Sequence, residues 1–269
     1  MSADPTGPEA KEPEQLAEGS LVSHLIELRQ RLMKMALAIL VIFIGLVPFN
    51  QTIFTRIATP LMEQLPEGAT MIATQVASPF LTPFKMSLFV ALFLAMPVVL
   101  TQAWAFVAPG LYKREKKFAF PLVLSSIVLF YAGVAFAYFV VFPLMFGFFA
   151  SYTPEGVTMM TDITYYLDFI LTLFFAFGLA FEVPIATVML VWSGLVPLST
   201  LAKARAYVFL GAFVIGMLLT PPDAISQTML AVPVYVLYET GLFMARVFDP
   251  TKESSDEEDV QIGTEGGGE

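Results

Sequence analysis

Six stretches of this chain are apolar over lengths that suit a lipid bilayer: about Leu32–Phe49, Met86–Phe106, Phe120–Phe142, Tyr166–Trp192, Ala206–Leu219 and Gln227–Val247. A helix rises about 1.5 Å per residue, so crossing roughly 30 Å of hydrocarbon takes about 20 apolar residues. In lipid the backbone must satisfy its own hydrogen bonds, which leaves helix as the form for runs of this length. Composition agrees, with 57% hydrophobic residues against 14% charged, well outside the balance of a soluble domain. The expected fold class is an all-α integral membrane protein with six transmembrane helices. The last two are expected to be short. From Ala206 to the break at TPPD is about fourteen residues, or roughly 21 Å, and Pro233 and Glu239 interrupt the sixth run. The first run lacks a small-residue cleavage site after it and reads as a retained span.

The formal charge of −9 belongs to the ends of the chain: residues 1–18 carry −4 and residues 249–269 carry −7, leaving +2 for the rest. Residues 1–19 and 249–269 are expected to be disordered acidic tails around a membrane domain at 20–248, because they hold too few apolar side chains to offset the entropy of ordering. An even number of spans puts both termini on one side. That side then carries twelve basic residues, including Arg29, Arg31, Lys34, Lys113–Lys117 and Lys203, against Arg56 and Lys85 opposite. By the positive-inside rule the termini are expected to be cytoplasmic. The outer segment 50–84 holds Pro60, Pro66, Pro79 and Pro83, which are expected to pin turns in a fixed cap.

Three groups of residues carry candidate chemistry. In SHLIELRQRLMK, residues 23–34, leucines at helical spacing suit an interfacial helix anchored by Arg29 and Arg31. Glu27 gains nothing from an anionic headgroup surface, so a ligand role is its alternative reading. In LYKREKK, residues 111–117, Glu115 either pairs locally with a neighbouring base or joins Glu27 as a second carboxylate for a cationic peptide. Two charge-assisted arginine contacts would supply about 3–6 kcal/mol. The third group is Glu182 with Pro184, in the fourth run, and TPPDAISQ before the sixth. Pro184 leaves the carbonyl of Ala180 without its helical donor, and Gly178 and Ala186 flank Glu182 as small residues on its own face. A lone carboxyl at that depth suits hydrogen bonding either to a partner helix or to a hydroxyl or backbone group of a neighbouring span. Asp223 and Ser226 have the positions of ordinary N-caps, whereas Gln227 is an amide at the mouth of a short span.

With no cysteine, no HExxH and one histidine ahead of the first span, the sequence supports no enzyme, metal site or cofactor. No nucleic-acid partner is expected. A proton-coupled small-solute transporter is the alternative functional class, since it too would want a midplane carboxylate and broken helices.

The motifs HLIELR, TMIATQVASPFLTPFK, WAFVAPGLYKREKK, LFYAGVAFAYFVVFPLMFGFF, FGLAFEVP and GAFVIGMLLTPPDAISQTMLAVP, in this order across residues 20–248, resemble the TatC family. Its members are polytopic subunits of the twin-arginine protein translocase. The resemblance implies a cupped bundle in the bacterial inner membrane that binds twin-arginine signal peptides of folded cargo. It also implies partners, namely TatA- and TatB-type single-span subunits and other TatC copies, in a site driven by the proton motive force. Signal-peptide binding then falls on Glu27 and Glu115, with Arg29 and Phe106 in support. Pro60, Glu182, Asp223 and Gln227 fall where the family's functionally sensitive positions lie; beside this, Glu182, Gln227 and Asp223 are expected to dock partner helices and Pro60 to be structural in the outer cap.

Overall fold

The computed structural model describes residues 13–62, 70–107, 116–152, 154, 157, 160–220 and 223–247. Helix α1, Pro13–Leu46, begins inside the stretch expected as a tail and passes through a 3-10 turn, Val47–Phe49, into α2, Asn50–Met62. Pro48 sits at the start of that turn, where the missing N–H costs no helical bond. Strand β1, Thr70–Ile72, leads to α3, Ser78–Val107, and α4, Lys116–Phe136. A π-helical turn, Ala137–Val141, joins α4 to α5, Phe142–Ser151. Pro143 follows that turn, and widening the ladder is how a helix accommodates a missing donor without breaking.

The second half begins with β2, Met160–Asp162, and continues with α6, Ile163–Ala180, and α7, Val183–Trp192. A short α8, Leu198–Lys203, precedes α9, Arg205–Leu219, and α10, Ala224–Val247. Five helical stretches are long and apolar enough to cross a membrane, and α9 is a sixth, shorter apolar helix, which bears out the six-span fold. At 15 residues α9 reaches about 22 Å, as short as expected. By contrast α10 runs 24 residues without a break at Pro233, about 36 Å, long enough to cross the bilayer. The charge expected to interrupt it, Glu239, is paired instead: Arg205 Nη2 donates to its Oε2 at 2.9 Å and Tyr235 Oη to its Oε1 at 3.0 Å. Neutralising partners on α9 and on the same helix remove the cost of a lone carboxylate.

Span two also starts earlier than expected. Pro79 and Pro83, expected as turn residues, lie in α3: Pro79 in its first turn, where an N–H lacks an intrahelical acceptor, and Pro83 inside the helix, where it leaves the carbonyl of Pro79 without its donor. What fixes the cap is the parallel pairing of β1 with β2, Thr70 opposite Met160 and Ile72 opposite Asp162. Asp162 then caps α6 through Oδ1, with Thr164 N–H at 2.8 Å, while its Oδ2 accepts from the backbone N–H of Thr74 at 2.8 Å. The Thr74 hydroxyl and N–H, with the α6 amides, hold this carboxyl down to about 2 against its ordinary value.

The core is built on span four. Leu167, Ile170, Leu173 and Phe177 of α6 are buried with Met86 of α3 and Phe142 and Met145 of α5. Close approach is set by glycine: a Cβ on Gly133 of α4 would fall 2.4 Å from the Phe177 carbonyl oxygen, and one on Gly178 would fall 2.5 Å from the Phe130 ring. The small-residue face beside Glu182 is thus filled by this chain's own α4.

Candidate functional site

Two of the four residues expected to bind a signal peptide, Glu27 and Phe106, lie where the first half of α1 meets the end of α3. Arg31 donates to Glu27 Oε1 from Nε at 3.0 Å and Nη2 at 2.6 Å, and its Nη1 approaches Gln102 Oε1 of α3 at 3.4 Å. Glutamate four residues ahead of arginine is the favourable order on a helix, worth about 0.2–0.5 kcal/mol. The Glu27 side chain remains 40% exposed, so water and other cations reach it. One helical turn earlier, His24 stacks on Phe106 of α3, ring centroids 4.5 Å apart. Arg29 is exposed on the same stretch of α1. An exposed carboxylate held beside an aromatic pair across two spans can accept a guanidinium while the rings take the apolar side chains next to it. Glu115 lies outside the described residues.

Glu182 presents the opposite environment. It occupies the break between α6 and α7, is 7% exposed, and accepts a short hydrogen bond at Oε2 from Ser126 Oγ of α4. Ser126 in turn accepts from Trp104 Nε1 of α3 at 2.8 Å. Three spans meet in one hydrogen-bonded chain. The break exists because Pro184 has no N–H to give, so the helix ends and restarts with proline in its first turn. Of the two readings left open by the sequence, this geometry supplies a hydroxyl on a neighbouring span, while Oε1 stays buried without a partner among the described residues.

The remainder of the third group lies at the α9–α10 turn. Asp223 Oδ1 accepts from the Ser226 N–H at 2.7 Å, an N-cap that also lowers the acid's pKa. Gln227 is half-buried in the first turn of α10, its backbone packed on Gly216 of α9. Pro60 lies within α2, and its side chain is outside what is described. The structure therefore sets Glu27 one helical turn from the His24–Phe106 stack, leaves Arg29 exposed on α1, and sets Glu182 apart from the Asp223–Gln227 turn. Arg31, read from the sequence only as an anchor, pairs with Glu27, while Gln102 and His24 near it, and Ser126 and Trp104 around Glu182, escaped the sequence reading. The Glu27–Arg31 spacing of four was a visible signal. Ser126, inside an apolar run, carried none that distinguishes it from Ser125.

This arrangement defines a polytopic helical membrane protein whose polar groups sit at a water-accessible seam, at the α9–α10 turn and in one buried chain, with no group of metal-ligating side chains among the described residues. Residues 23–233 match the model of the family described as Sec-independent protein translocase protein (TatC), and the chain belongs to that family. Sec-independent protein translocase protein TatC of Azotobacter chroococcum mcd 1 is 62% identical over 223 residues, 83% of this chain and 88% of that protein. Its counterpart from Escherichia coli (strain K12) is 54% identical over 228 residues, 85% and 88% of the two chains. A crystal structure of the twin arginine translocase receptor TatC superposes with a TM-score of 0.75 at 37% identity, covering 83% of this chain and 98% of that one. These likenesses support a protein-translocase component and lend nothing to the small-solute transporter alternative.

Proposed function

We propose that this chain is the receptor and core subunit of a twin-arginine translocation system in a bacterial inner membrane, with both termini cytoplasmic. It binds the twin arginines of signal peptides on folded cargo through Glu27 and Glu115, with Arg29 and Phe106 in support, and nucleates assembly with TatA- and TatB-type subunits and further copies of itself. Glu182, Gln227 and Asp223 serve the docking of those partner helices, and the proton motive force drives transport. The observation that carries the reading is the exposed Glu27 carboxylate, held by Arg31 beside the His24–Phe106 stack. A bound peptide arginine exchanges with the Arg31 guanidinium, whose third nitrogen already has Gln102 within reach.

The test is binding of a synthetic twin-arginine signal peptide to the full chain in detergent at low salt. Glu27→Gln and Glu115→Gln should each weaken binding about tenfold or more, as expected for losing a charge-assisted contact. Replacing the two peptide arginines by lysines should also cost affinity, because lysine cannot make the bidentate fork. Unchanged affinity in both glutamine variants would overturn the proposal.

A further inference from the structure

Span two carries a proline in its interior, and α4 supplies the donor that this proline removes. Pro97 lies inside α3. It has no N–H to give, so the carbonyl four residues earlier, that of Phe93, loses its helical donor. The proline ring also crowds that carbonyl, the ordinary cause of a bend in a helix. Within the apolar stretch Ser78–Val107 no water replaces the missing bond, and the freed oxygen needs a donor from the protein. Tyr131 of α4 provides it, donating from Oη to the Phe93 carbonyl oxygen at 2.8 Å. The Phe93 ring meets Phe130, the residue before Tyr131, edge-on with centroids 6.0 Å apart, so packing and hydrogen bond join the same two turns. Beyond the proline, α4 holds α3 a second time, where Trp104 Nε1 donates to Ser126 Oγ at 2.8 Å. Between the two holds, the Thr101 hydroxyl donates to the Pro97 carbonyl at 2.6 Å, a back-bond of the kind that favours bending.

The segment after Pro97 forms one wall of the peptide site. Gln102 and Phe106, which meet Arg31 and His24 of α1, both lie on it. From Pro97 to Phe106 the helix rises about 14 Å, so turning the end of α3 by about 10° would carry Phe106 about 2 Å sideways. Such a shift would undo a ring stack at 4.5 Å or a polar approach at 3.4 Å. We propose that Tyr131 is a positioning residue for signal-peptide binding. By holding the carbonyl that Pro97 frees, it fixes the bend of α3 and so sets Gln102 and Phe106 against α1. The role rests on the peptide-binding function proposed for Glu27 and Phe106, and it is exerted through the backbone of α3 rather than on the peptide.

The experiment uses the full chain in lipid nanodiscs, with two readouts. One is affinity for a synthetic twin-arginine signal peptide. The other is the distance between nitroxide labels carried by Val107→Cys and Leu195→Cys, both exposed positions, measured by pulsed electron paramagnetic resonance. The chain has no cysteine of its own, so these two sites label alone. The parallel strands β1 and β2 lead into α3 and α6, so spans two and four run in the same direction and the labels report a sideways swing of the α3 end. Tyr131→Phe keeps the ring and removes only the hydroxyl. It should weaken peptide binding about threefold to tenfold, the range for one intramembrane hydrogen bond, and move or broaden the label distance by about 2 Å. Pro97→Ala returns an N–H to the Phe93 carbonyl and makes the tyrosine hydroxyl redundant. In that background Tyr131→Phe should change neither readout. An effect of Tyr131→Phe that is undiminished beside Pro97→Ala would overturn the proposal, as would wild-type affinity or an unmoved label distance in Tyr131→Phe alone. Wild-type affinity in both Glu27→Gln and Glu115→Gln would instead sink the peptide site itself, and this role with it. Losses in those two variants with none in Tyr131→Phe leave the site standing and remove only the positioning.

Discussion

Spans one and four look alike as strings of apolar residues but occupy different solvents. Span one is the more hydropathic, mean hydropathy 2.5 against 2.1, yet none of its most apolar window is buried inside the chain, whereas 56% of span four's is. Hydrophobicity alone cannot decide between protein and lipid, because lipid tails are as apolar as leucine. What differs is side-chain size and polarity. Span four presents Ala176, Gly178, Ala180 and Glu182 among its aromatics, whereas span one is mostly Leu, Ile, Val and Met. Each span carries one candidate glutamate, and the surroundings divide their chemistry. Glu27 keeps a water-accessible charge balanced by Arg31, while Glu182 is sealed among Ser126, Trp104 and the helix break.

The strongest way to break this comparison is to add volume. Gly133→Val places side-chain atoms into the Phe177 carbonyl against which span four packs, and should cost about 3 kcal/mol of bundle stability, at the upper end for overpacking. Gly45→Ala in span one meets nothing within 4 Å and should be neutral or slightly stabilising. Denaturant unfolding in micelles compares the two, and equal losses would mean that span one is packed as tightly as span four.

Charge sharpens it next. Glu27→Gln should weaken twin-arginine peptide binding about tenfold, while Glu182→Gln should leave that affinity within about twofold, since the buried amide still accepts from Ser126. Comparable losses in peptide titrations of the two variants would merge the roles that the structure separates.

Salt gives a smaller, paired readout. Raising ionic strength from about 0.05 to 0.5 M should weaken peptide binding severalfold, because Glu27 is open to screening. Crosslinking of a partner helix near Glu182 should stay constant over the same range, since screening reaches a buried group much less. A salt-sensitive crosslink would put charge at the docking point.

The sequence carried the span count, the short α9, the Asp223 cap and the positions of the candidate carboxylates, because each is written in local pattern: run length, residue type before a helix, charge in an apolar field. It did not carry the partners. The β1–β2 pairing joins segments about ninety residues apart, and Glu239's neutralisation depends on Arg205 arriving from another helix. Ser126 looks identical to Ser125 in the sequence. Only the packing of α4 against α3 and α6 turns one toward Glu182 while the other bonds the Leu122 carbonyl of its own helix. The lone charge in FAFGLAFEVP was legible as a problem, but its solution lay in tertiary structure.

The smallest predicted effect compares two carboxyls within span four itself. Asp162 caps the span at the water boundary and Glu182 lies inside it. Asp162 is held down to about 2 by the Thr74 hydroxyl and N–H and the α6 amides. A group whose pKa is lowered by folding contributes stability that is complete above its unfolded value, near 3.9, and is lost as pH falls through the folded value. The cap should therefore keep its Thr74 and Thr164 amides protected from hydrogen exchange, after correction for intrinsic rates, from pH 6 down to about 3. Protection should then fall as the pH approaches about 2. Asp162→Asn replaces one acceptor oxygen by a donor facing the Thr74 N–H, so protection there should drop severalfold at every pH, and the step near pH 2 should vanish. Amides in the turns around Glu182 should show neither change, because the Ser126 and Trp104 contacts are closed to bulk water. Protection at Thr74 that is already lost by pH 4 would show Asp162 titrating as an ordinary surface acid, and the cap would then have to be held by the β1–β2 pairing alone.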